Sequence, residues 1–123
     1  MLREYEFTVI ARTDIPEADR AKLFEKYEQM LTADGGEFIL RNEWGSRKLT
    51  FPINEQFRGH YINYDFVGKP EHLSEVERLM RIDEGILRFM SVRIGENVDV
   101  NERRAELAKS EAEERLRMEA ETR

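Results

Sequence analysis

At the start of the chain, Tyr5, Phe7 and Val9 alternate with Glu4, Glu6 and Thr8. A period of two puts successive side chains on opposite faces of an extended segment, which predicts a strand over residues 3–11 with one wet face. Asp14 follows as an N-cap candidate, with Pro16 early in the first turn and Glu17 three residues past the cap, the spacing of a capping box. Leu23, Tyr27, Met30 and Leu31 then recur at helical spacing until Gly35-Gly36, which predicts a helix of about 17 residues stopped by glycine.

Residues 37–53 read as extended. Phe38, Leu40 and Trp44 share one parity and Leu49 and Phe51 the other, so a single bulge near Gly45 would return all five to one core face. Pro52 marks a strand end or an edge position. A polar hairpin loop is expected over 54–59. Ile62, Tyr64 and Phe66 alternate with Tyr61, Asn63 and Asp65, predicting a third, half-buried strand over 60–67. Gly68 and Pro70 open a second helix with the stripe Leu73, Val76, Leu79 and Met80, ending near Arg81. Residues 86–94 complete the set as a fourth strand whose parity the pattern does not fix. The order βαββαβ predicts a ferredoxin-like α+β fold, a four-stranded antiparallel sheet with two helices on one face.

After about residue 98 the character changes. Residues 101–123 contain no glycine, proline or aromatic, and Leu107, Leu116 and Met118 barely form a stripe. From Asp99 onward eight acids against six bases leave a net charge of −2. Residues 1–98 are therefore expected to form one domain. Residues 99–123 form a charged extension, either frayed and solvated or helical against a partner.

Composition narrows the function. Charged residues make up 37% of the 123, well above the usual quarter, and the formal net charge of −6 argues against indiscriminate nucleic-acid binding. The absence of cysteine removes disulfides, thiol nucleophiles and cysteine-ligated zinc, and fits a reducing, cytoplasmic setting. No apolar run approaches a membrane span, and the N-terminus lacks the order of a signal peptide. His60 and His72 stand alone without metal-ligand spacing, and no glycine-rich phosphate loop or nucleophile elbow occurs. Asp83-Glu84 suits the capping of a turn better than paired acid–base work. The expectation is no catalytic residue, no metal, no cofactor, no small-molecule substrate and no membrane.

The stretch Trp44-Gly45-Ser46-Arg47-Lys48-Leu49-Thr50-Phe51-Pro52-Ile53 resembles the signature of the bacterial small-subunit ribosomal protein family number six, which reads WG-basic-RKLAYPI. Tyr5-Glu6, Gly59-His60-Tyr61 and the run Leu79-Met80-Arg81-Ile82-Asp83-Glu84-Gly85-Ile86-Leu87-Arg88 match in their expected places. Ser46 departs where a basic residue is common, Thr50 where a small apolar one is, and Phe51 replaces tyrosine. The resemblance implies a structural component of the small ribosomal subunit. It would bind the central domain of the small-subunit rRNA as a heterodimer with the eighteenth small-subunit protein.

The residues themselves allow this. Arg47 and Lys48 are strand neighbours and must point to opposite faces. If Leu49 and Phe51 face the helices, Arg47 lies on their side at the rim and Lys48 on the open face. Candidate RNA ligands are Arg3, Arg47, Lys48, Arg58 and Arg88, with Trp44 beside them; each could equally pair with a nearby acid, and Trp44 could simply pack. The open face would carry Glu4, Glu6, Tyr61 and Asp65, an acidic surface that repels phosphate and suits a basic protein. The competing reading is a ferredoxin-like interaction or regulatory module without RNA binding.

Overall fold

In the computed structural model, which describes residues 1–121, the elements are β1 (Arg3–Ala11), α1 (Glu17–Leu31), β2 (Glu37–Ile53), β3 (Gln56–Gly68), α2 (Pro70–Ile82), β4 (Ile86–Gly95) and α3 (Val100–Glu121). The four strands form one antiparallel sheet in the order β2-β3-β1-β4, the ferredoxin-like arrangement. The last two residues of the predicted extension lie outside the described residues.

One face of the sheet and the two helices make the core. Tyr5, Phe7, Val9 and Ala11 of β1 and Ile62, Tyr64 and Phe66 of β3 turn inward, as their period requires. They meet Phe24, Tyr27 and Leu31 of α1 and Leu73, Val76 and Met80 of α2, each helical set spaced i, i+3, i+7. The rings interlock, Tyr5 with Phe66 at 5.5 Å and Phe38 with Tyr64 at 5.2 Å between centroids. Burying each such side chain contributes about 1.5–3 kcal/mol, so this face sets the register of all four strands. Polar groups entering the core are satisfied. Tyr64 donates to Glu28 Oε2 at 2.6 Å, which also accepts from Arg41, and Tyr27 donates to Asp83 Oδ2 at 2.6 Å. Burial and these carboxylates raise both phenols above their ordinary range.

Asp83 also accepts the Gly85 amide at 2.9 Å, so it closes the turn between α2 and β4, the capping role expected of it. Asp14 does not cap α1. The N-cap is Pro16, with no side-chain cap bond, and Asp14 instead takes a bidentate pair from Arg12 at 2.9 and 2.7 Å. Glu17 and Asp19 meet the helix's positive end in its place.

The β2–β3 hairpin departs most from expectation. The predicted loop 54–59 shrinks to a two-residue turn, Asn54-Glu55, both residues at positive φ (47° and 66°), the requirement of a type I′ turn. β3 therefore starts at Gln56, while its pairing with β1 covers only His60 to Gly68. Beyond that point β2 and β3 overhang as a two-stranded ribbon. β2 also carries two bulges ahead of Leu49, between Phe38 and Leu40 and between Glu43 and Gly45, where one was expected. Two bulges flip the parity twice. Leu49 consequently faces away from the helices, buried against Ile10, and Phe51 is 78% exposed; neither joins the main core. Gly45 sits at the second bulge with φ +75°, a conformation that side chains resist. Pro52 lies on β2, an edge strand, where a missing N–H costs no ladder bond.

Candidate nucleic-acid interface

The sheet face opposite the helices is divided by charge. At the end nearest the hairpin, pairing aligns Arg47 with Gly59, Lys48 with Arg58 and Ile10 with both Tyr61 and Arg88. Arg47, Gly59, Tyr61, Ile10 and Arg88 share the open face because they share parity with Glu6, Thr8 and Asn63 across the ladder. Lys48 and Arg58 lie on the opposite face of the ribbon. This reverses the expected facing of Arg47 and Lys48, for the reason that reverses Leu49. Both faces of the ribbon thus carry a cation.

Gly59 makes this end compact. A Cβ there would collide with Ile10 Cγ2 and press on Leu49 Cδ2 at 3.4 Å, so its missing side chain lets Leu49 and Ile10 meet across β3. The hairpin's Phe51, Pro52 and Ile53 lean over this contact, and with Tyr61 and Arg88 they enclose a small cavity of 160 Å³. Arg88 at the start of β4 and the ribbon's cations are thereby brought to one corner.

Among the described residues, Arg47, Lys48 and Arg88 have neither an ion-pair nor a hydrogen-bond partner. Arg12, Arg41, Arg78, Arg93, Arg103 and Arg104 are all paired with carboxylates. Arg58 is held by Ser46, whose Oγ accepts its Nε at 2.9 Å and whose carbonyl accepts Nη2 at 3.3 Å, leaving its charge uncompensated. Ser46, one of three positions that differ from the signature the stretch resembles, therefore positions a cation instead of supplying one. Arg3 lies at the far end of β1, opposite Gly68, with a buried Nε that has no partner. It does not join the hairpin corner.

Aromatic rings accompany the cations. Trp44 stands in the second bulge at 48% exposure, and Phe51 and Phe57 on the ribbon are 78% and 68% exposed. The two phenylalanines were missed as surface features, since Phe51 was read as inward-facing and Phe57 lay in an assumed loop. The turn signal was there in Asn54, but Glu55 conceals it, because such turns favour glycine at that place. Exposed rings beside unpaired cations can stack on bases while the cations meet phosphates.

The opposite end of the open face is acidic. Glu4 is 4% exposed, Glu6 accepts a bond from Asn63 at 3.3 Å, and Asp65 pairs across β1–β3 next to both. Burial, then a hydrogen bond from its own carboxyl to Glu4, pushes Asp65 up to about 7. Part of this acidity is met from within the chain: Arg103 of α3 donates to Glu4 Oε1 at 2.7 Å and stands 3.6 Å from Asp65. The expected acidic set is thus split, with Glu4, Glu6 and Asp65 at this end and Tyr61 beside Arg88 at the other.

Residues 4–93 match the family described as ribosomal protein S6. A small ribosomal subunit protein bS6 from Desulfatibacillum aliphaticivorans is 37% identical over 111 residues, 90% of this chain and 60% of that protein. Another, from Trichlorobacter lovleyi, is 34% identical over 115 residues, 92% of this chain and 94% of that protein. A third, from Desulfosudis oleivorans, is 39% identical over 98 residues, and as with the first the chain spans less than two thirds of its length, 58%. The crystal structure of 30S ribosomal protein S6 from Thermotoga maritima superposes with a TM-score of 0.69, covering 94% of this chain and 99% of that one at 23% identity, which bears on the fold.

Proposed function

The chain belongs to the ribosomal protein S6 family of the small ribosomal subunit, and from that premise we propose that it binds the central domain of the small-subunit rRNA together with the eighteenth small-subunit protein. Its role there is structural, in the cytoplasm, with residues 1–98 as the binding domain and 99–123 as a charged extension. The observation that carries this reading is the hairpin corner. Arg47, Lys48 and Arg88 are unpaired, Arg58 is steered by Ser46, and Trp44, Phe51 and Phe57 are exposed beside them. Exposed ion pairs contribute only about 0–1 kcal/mol to stability, so cations left without a partner gain little for the fold and are free to meet phosphates. A net charge of −6 makes the chain a poor RNA ligand alone, which a basic partner on the acidic end of the open face offsets. Arg3 adds a cation at the far end of β1, beside the acidic surface rather than the corner.

The test is the affinity of the chain for a central-domain RNA fragment across a salt series, with and without the eighteenth protein. Binding is expected to be weak alone and tight with the partner. Arg47→Ala or Arg88→Ala should reduce the salt slope by about 1 each, the signature of one lost phosphate contact. No binding even with the partner would replace this reading with a protein-interaction module that does not engage RNA.

A further inference from the structure

The β2–β3 ladder is interrupted between Lys48, opposite Arg58, and Ile53, opposite Gln56. Four residues of β2, Leu49 to Pro52, there stand against one of β3, Phe57, so β2 arches out of the ribbon. The arch borders the 160 Å³ hollow over Ile10. The hollow has an apolar floor. Ile10 and Leu49 are buried, yet neither belongs to the main core, and farther along the same face β1 and β3 carry Glu6, Thr8 and Asn63. Tyr61 lines it from β3, and the exposed Phe51 and Pro52 form its rim.

Charge is as selective as shape. Among the described residues the lining holds no acid, and its single charge is Arg88, which has neither an ion-pair nor a hydrogen-bond partner. A larger hollow of 470 Å³ shares Arg88 but also carries Asp83 and Glu84, which disfavour an anion. An apolar hollow bordered by one unanswered guanidinium suits a ligand that joins a flat apolar face to a negative charge. A nucleotide is such a ligand, its base offering a ring face to Tyr61 and Phe51 while its phosphate meets arginine. A space of 160 Å³ has no room for a stacked pair, so the base must have left its stack.

We propose that this hollow takes one unstacked RNA base, with Arg88 on the phosphate of that nucleotide. This rests on the RNA-binding reading above and adds that the corner meets a loop or bulge rather than the flank of a helix. Arg47, unpaired on the same face opposite Gly59, supplies a second cation for the strand's next phosphate.

Methyl NMR titrations of the full chain at low salt test this with penta-adenylate, an abasic pentamer of the same backbone, and adenosine monophosphate. Penta-adenylate should shift the Ile10 and Leu49 methyl signals and bind about tenfold more tightly than the abasic pentamer, which should leave those signals in place. Phe51→Ala, on the exposed rim, should remove most of that difference without lowering the salt slope. Arg88→Ala should lower the slope by about 1 for both pentamers. Unmoved methyl signals, or equal affinities for the two pentamers, overturn the base site. Phosphate-only binding of that kind leaves the RNA-binding reading standing, since that reading is tested on the central-domain fragment with the eighteenth protein. Adenosine monophosphate binding as tightly as penta-adenylate overturns an RNA strand as the source of the nucleotide. Movement of the same methyl signals on adding the eighteenth protein without RNA overturns the base as the occupant.

Discussion

Gly59 shows how much one missing methyl can organise. Alanine there would drive its Cβ into Ile10 Cγ2, and Ile10, branched and buried, has little room to yield. Overpacking of this kind costs about 1–3 kcal/mol, so Gly59→Ala should lower the free energy of unfolding read from urea denaturation by that amount. It should also weaken the RNA binding proposed above, since Leu49, Arg47 and Arg88 are positioned around this contact. Asp65 makes a prediction about pH. An aspartate titrates near about 4 in an unfolded chain, whereas burial and Glu4 push Asp65 up to about 7, with Glu6 also raising it and Arg103 pulling the other way. The folded state therefore holds this proton more tightly. The stability so gained is complete below about pH 4 and is lost as pH climbs through about 7. Between about pH 5 and about pH 8 the wild type should lose stability relative to Asp65→Asn, read from chemical denaturation of both; parallel curves would place the pH dependence elsewhere.

Elements whose residues serve one master were legible in the sequence. β1, α2 and the paired part of β3 each present a single apolar set to the core, and Tyr5, Val76 and Tyr64 lie where their periods put them. β2 was legible only as extended chain, because parity counts residues and a bulge adds one without a reliable mark. Gly45 advertised the second bulge, while the first falls at Phe38-Ile39-Leu40 among ordinary strand formers. The cations of the corner were named from sequence, but their faces and the exposure of Phe51 depended on that uncounted bulge. The turn hid for a local reason. Glu55 at φ 66° bears a left-handed conformation that costs a side-chain-bearing residue about 1–2 kcal/mol. Glu55→Gly should raise the melting temperature, corresponding to about 1 kcal/mol after the entropy of glycine is counted. An unchanged or lower melting temperature would show that the strain at this turn is relieved some other way.

Across the whole molecule, stability and charge are unevenly distributed. The core joins β1–β4 with α1 and α2, while α3 is attached through Arg103, Arg104 and a thin apolar stripe. Urea should therefore remove part of the helical circular dichroism signal before the near-ultraviolet signal of the core aromatics changes, and added salt should advance the first step alone. Coincident transitions would mean that α3 melts with the sheet. The overhanging β2–β3 ribbon is a different kind of attachment. Past His60 its strands pair only with each other, and the pair is an arm rooted at Gly59. Its tip folds back toward the start of β4, where Asn54 lines a hollow with Arg81, Asp83 and Arg88, so the arm is braced against the body at both ends. On the function proposed above, cations carried on a braced arm keep fixed positions, so the phosphates would have to come to them and the hairpin would act as a gauge of RNA shape.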